Sequence, residues 1–137
     1  MISKFFVVFV AFGFTMMGFM ALTDPEGAMA YMSAGPLGDD MRNEARAVYG
    51  GFGFAVGGLL AYTLWDGVAF AVSKGVRLGM AVIIAGMALG RAVSWIVDGG
   101  TSMTIVVFFV GEVLMPLMLL ASIRLDGRRP DGSETTA

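Results

Sequence analysis

The sequence predicts an all-α integral membrane protein, a four-transmembrane-helix bundle with N- and C-termini cytoplasmic. Three observations carry that prediction. Hydrophobic residues make up 57% of the 137-residue chain and charged residues only 15%, and mean hydropathy is +0.79. A soluble domain of this length has too little interior to hide so much apolar surface. The apolar residues also gather into four long runs parted by short polar connections, as helices crossing a hydrocarbon core of roughly 30 Å require. Finally, 20 glycines and 12 methionines suit helices that pack through small residues in lipid.

The first run, Phe5 to Leu22, carries no charge and is just long enough to span. Ala28-Met29-Ala30 resembles a signal-peptide cleavage site, but the run exceeds the usual apolar core of such peptides. It is therefore expected to stay as the first transmembrane helix, over about 5–22. Asp24-Pro25-Glu26 then supplies a capping residue, a proline at the first helical position and an acid in the first turn. The short segment 27–34 reads either as a surface loop with a turn or two of helix, or as an interfacial helix lying over the bundle mouth as a lid.

Asp39 or Asp40 caps the second helix, expected over about 41–65. Arg46, Gly50, Gly53 and Gly57 share a stripe on it, and Gly53 and Gly57 at i, i+4 allow a neighbouring backbone to come close. Tyr62 and Trp65 suit the far interface. Asp66-Gly67 opens a connection, with Val68 to Val72 at the bilayer surface. The third helix follows over about 76–97, with a small-residue pair at Gly75 and Gly79 and another at Gly86 and Gly90. Asp98-Gly99-Gly100 makes a turn, Thr101 or Ser102 caps a fourth helix over about 103–123, and 126–137 forms a polar cytoplasmic tail. Residues 1–125 thus make one domain. Lys4, Lys74, Arg77, Arg124, Arg128 and Arg129 belong to the N-terminus, second loop and C-terminus, against only Arg42 and Arg46 near the first loop, and the positive-inside rule makes the more basic side cytoplasmic. The expected location is the bacterial inner (cytoplasmic) membrane.

Charges inside the apolar runs are the candidate functional residues. Arg91, Ser94 and Asp98 lie at i, i+3 and i+7 on one face of the third helix. An arginine at membrane depth is costly and needs a partner or a wet cavity. Helix rise places Arg91 roughly 10 Å below Asp98, and Glu112 roughly 15 Å below Ser102. The offset is within reach of a long side chain. Arg46 and Tyr49 enter the same half, so Glu44, Arg46, Tyr49, Arg91, Ser94, Asp98 and Glu112 are expected to converge on one polar pocket opening outward. Pro116 also deprives the Glu112 carbonyl of its helical hydrogen bond.

Arg46-x-x-Tyr49-Gly50-Gly51, Arg91-x-x-Ser94 with Asp98-Gly99, and Glu112, in that order and spacing, resemble a family of small bacterial membrane proteins known as domain of unknown function 4345. The resemblance covers roughly residues 1–125. It implies a four-helix inner-membrane protein in which these positions are characteristic, and it implies no activity, substrate or cofactor.

The absence of histidine and cysteine removes the commonest general base, thiolate chemistry and most transition-metal ligands. No cofactor and no metal are expected. A net charge of −2 without a basic stripe gives nucleic acid no footing. The favoured function is a binding or accessory protein whose pocket takes a lipid headgroup or small amphiphile, or a subunit of a larger membrane complex. The alternative is a small proton-coupled transporter using Glu112, although a resident Arg91 hinders proton exchange there. An enzyme, with Glu112 as base and Tyr49 as acid, has only proximity to recommend it. A purely structural Arg91–Glu112 pair fixing helix register is a further reading. Expected partners are the lipid bilayer, a lipid or amphiphilic ligand, and a homo-oligomer or larger complex.

Overall fold

The computed structural model describes residues 1–32, 35–99 and 102–127. All regular structure among these is helical: α1 (Ile2–Thr23), α2 (Pro25–Ala30), α3 (Asp39–Glu44), a π-helix (Ala45–Gly51), α4 (Phe52–Tyr62), α5 (Phe70–Asp98) and α6 (Met103–Asp126). Three of them, α1, α5 and α6, are long and apolar enough to cross a membrane. The second apolar run is one continuous helical segment over 39–62, divided by the π-helix; α4 alone, with 11 residues, is too short to span.

Local chemistry sets the ends. Asp24 accepts the Gly27 N–H at 2.9 Å, with Pro25 opening α2, as its sequence requires. Ser102 accepts the Ile105 N–H at 3.4 Å and caps α6; the alternative cap, Thr101, lies outside the described residues. Gly38, not Asp39 or Asp40, occupies the capping position of α3, and both aspartates sit in its first turn, where the helix dipole favours them. Gly99 ends α5 with φ +84°, a conformation that disfavours any residue with a Cβ.

Three boundaries differ from expectation. The second helical segment ends at Tyr62 rather than Trp65, where the chain turns through Thr63. α5 begins at Phe70 rather than near Val76. Ser73 and Arg77 are buried on its inner face, so charges that read as loop belong to the helix. At the other end α6 includes Asp126. The remainder of the expected tail, beyond Gly127, lies outside the described residues.

The two closest packed pairs are α1 with the π-helix and α4, and α5 with α6; α1 and α6 join the pairs, while α4 and α5 meet only briefly. The core is built from Val7, Val10 and Phe14 of α1, Val56 and Leu60 of α4, Ala81 and Ile84 of α5, and Leu119 of α6. Their i, i+3 and i+4 spacing puts each set on one face of its helix.

Glycine decides how closely α1 approaches its neighbour. A Cβ at Gly53 would stand 2.7 Å from the Phe14 carbonyl oxygen, and one at Gly57 would stand 3.0 Å from that of Ala11. Gly18 completes the crossing from α1, where a Cβ would lie 2.8 Å from the Phe54 nitrogen. Gly50 is equally tight against Leu22. By contrast, Gly86 and Gly90, expected to pack similarly, have no described atom within 4 Å of where a Cβ would stand, and Gly75 and Gly79 are equally open. The small-residue spacing recurs on α5, but its glycines face away from the described helices.

Candidate functional site

The helices leave a cavity of about 320 Å³ between them. α1 contributes Gly13, Phe14 and Met17; α5 contributes Met87 and Arg91; α6 contributes Val107, Phe108, Gly111, Glu112 and Met115; Tyr49 of the π-helix and Met32 after α2 complete it. Almost every lining group is apolar. The expected polar pocket is thus an apolar chamber with a small polar site in its wall.

That polar site is an ion pair. Arg91 Nε donates to Glu112 Oε2 at 2.7 Å. The Glu112 side chain is only 9% exposed and that of Arg91 23%, so both charges are largely withdrawn from solvent even before lipid surrounds the chain. The guanidinium also lies over the Phe108 ring, 5.4 Å from its centroid, within range of a cation–π attraction. Among the described residues, the Arg91 terminal nitrogens, Glu112 Oε1 and the Tyr49 hydroxyl make no hydrogen bond. Arg91, Glu112 and Tyr49 all line the cavity, so their unspent donors and acceptors are available to a molecule within it. Pro116 is buried within α6 and cannot donate to the Glu112 carbonyl one turn earlier.

The other sequence candidates are placed apart. Ser94 donates to Asp98 at 2.6 Å, with both residues exposed, and neither lines the cavity. Arg46 is exposed and its Nε donates to the Leu22 carbonyl at 3.3 Å. The cause is the π-helix: its i→i+5 bonding widens the turn to roughly four and a half residues. Arg46 and Tyr49 therefore separate further around the axis than they would on an α-helix. Glu44, at the end of α3, is exposed.

Two further features frame the cavity. The α2 region borders the cavity at Met32 and Tyr49, which pack on a small buried cluster of Met29, Leu37 and Ala45. Arg42 ties α2 to α3 through ion pairs to Glu26, at 2.6 Å, and to Asp39. Nearby, Trp95 and Phe109 meet in a tilted ring contact, 4.7 Å between centroids.

A second polar node, at the opposite end of the bundle, was not anticipated from the sequence. Arg77 is 3% exposed. It donates to Asp126 Oδ2 at 2.6 Å, Ser122 Oγ at 3.4 Å, Thr63 Oγ1 at 3.2 Å and the Thr63 carbonyl at 3.3 Å. One side chain thus joins the end of α4, α5 and α6. The signal was present in the sequence, since Ser73 with Arg77 and Ser122 with Asp126 are i, i+4 polar pairs at matching ends of two apolar helices.

The family model for a domain of unknown function, DUF4345, matches residues 2–122. The chain is therefore a member of the DUF4345 family. Searches of curated proteins and of solved structures gave no match.

Proposed function

We propose that this protein is a small multi-pass membrane protein of the bacterial inner membrane that binds a small amphiphile or a lipid headgroup in the Arg91–Glu112 cavity, alone or within a larger membrane complex. The continuous segment over 39–62 acts as the fourth span in this reading, and both termini are cytoplasmic. The distribution of basic residues supports that orientation, which turns the Arg91 end and the α2 region outward.

One observation carries the proposal: an apolar chamber whose only ionised lining groups, among the described residues, are a largely buried pair with unspent hydrogen-bonding atoms. Ligand sites are typically of this kind, mostly apolar with a few placed polar groups. A register-fixing pair needs no chamber beside it. The proton-coupled alternative has less support, because Glu112 must give up its 2.7 Å bond to Arg91 at each exchange.

Native mass spectrometry of the protein released gently from its membranes tests the reading, beside an Arg91→Leu, Glu112→Leu double variant. A bound mass in the parent that is lost in an equally folded variant supports binding and gives the ligand class. Clean apo masses in both overturn it.

A further inference from the structure

We infer that the cavity selects a single-chain amphiphile with an uncharged head that both donates and accepts hydrogen bonds, such as a carboxamide or hydroxyl, over charged amphiphiles. This inference rests on the binding function proposed above and names its ligand. The head site holds one cation and one anion bonded to each other, so it carries no net charge. A third charge placed there would be buried with one attractive and one repulsive neighbour, and its lost hydration would go uncompensated.

The unspent atoms of the site are mixed in kind. The Arg91 terminal nitrogens are donors only, Glu112 Oε1 is an acceptor only, and the Tyr49 hydroxyl is either. An anionic head satisfies the guanidinium but meets the Glu112 carboxylate; a cationic head does the reverse. A carboxamide or hydroxyl supplies a lone pair to Arg91 and a proton to Glu112 without disturbing their 2.7 Å bond. The size of the chamber sets the tail. A volume of about 320 Å³ holds roughly ten groups the size of a water at about 30 Å³ each, and Met17, Met87 and Met115 give it adaptable walls.

The test uses the full chain in phosphatidylcholine nanodiscs with three probes of equal chain length: decanamide, decanoate and protonated decylamine. Bound probe is counted by native mass spectrometry. Decanamide is expected to bind one to one and at least about tenfold more tightly than either charged probe. The preference should vanish in Arg91→Met, Glu112→Met, while Gly111→Leu, which fills the chamber, should abolish binding of all three. Tighter binding of decanoate or decylamine overturns the neutral-head inference and leaves the amphiphile function standing. Binding of all three that is unchanged by Gly111→Leu, or no binding of any, overturns the binding function itself. Thermal unfolding in the same nanodiscs establishes that each variant is folded.

Discussion

Arg91 on α5 and Glu112 on α6 are joined by a 2.7 Å hydrogen bond between Nε and Oε2, in the wall of an otherwise apolar cavity. The pair couples the two helices at a point where both charges are largely withdrawn from water. Burying ions is costly, and their attraction offsets the cost only while both are present. Arg91→Met alone and Glu112→Met alone should each destabilise the protein by about 3–5 kcal/mol. The double substitution should recover most of that loss, because no charge is left uncompensated. Unfolding of the four proteins in matched nanodiscs checks this. Strict additivity would show that the two side chains do not act as a pair.

The crossing of α1 and α4 gives a second prediction. Gly53→Leu must push its side chain into the Phe14 carbonyl and the Gly18 backbone. Overpacking of this kind costs about 1–3 kcal/mol or more. Gly86→Leu adds the same atoms where nothing described lies within 4 Å and should leave monomer stability near that of the parent. Thermal melts of the two variants separate them. Equal losses would contradict the asymmetry.

Arg77 holds the opposite end of the bundle by four hydrogen bonds to Thr63, Ser122 and Asp126. Arg77→Met should cost about 3–5 kcal/mol by stranding its partners, and Arg77→Lys should recover only part, since a single ammonium cannot reproduce the fork. Proteolysis near residues 63–70 should accelerate in both variants. Ligand retention at the far cavity should stay unchanged in any Arg77 variant that folds.

The α2 region, which borders the cavity through Met32, is tied to α3 by Arg42, which pairs with Glu26 and Asp39. These pairs are partly exposed, and surface ion pairs contribute about 0–1 kcal/mol. Arg42→Ala should therefore barely change stability. It should loosen α2 and raise the exchange rate of bound amphiphile, read by pulse-chase native mass spectrometry. Slower exchange would show that the α2 region does not restrict access to the cavity.

Much of this was legible in the chain. The apolar runs that form α1, α5 and α6, the Asp24-Pro25 helix start and the Gly53/Gly57 spacing each encode a local preference that the packing respects. The reach from Arg91 to Glu112 followed from helix rise alone. Other features depend on context that spacing does not carry. The π-helix rotates Arg46 away from Tyr49, and no apolar periodicity announces a change from i→i+4 to i→i+5 bonding. Gly86 and Gly90 have the spacing of a packing pair, but spacing does not say which face a neighbour covers. Arg77 read as a cytoplasmic loop charge because positive-inside counting treats basic residues near helix ends as solvated. Its role emerged only when Thr63, Ser122 and Asp126 were brought around it. The apolar character of the cavity was hidden too, since Met17, Met87 and Met115 come from three helices.

The most direct test of amphiphile binding is photolabelling in membranes with a decanamide analogue bearing a diazirine at its tail, followed by peptide mapping. Saturable labelling at Met17, Met87 and Met115, competed by unlabelled decanamide and lost in Gly111→Leu, is the predicted result. Labelling that never saturates and falls only on outward residues such as Leu89 and Val93, which are exposed on α5, would contradict it.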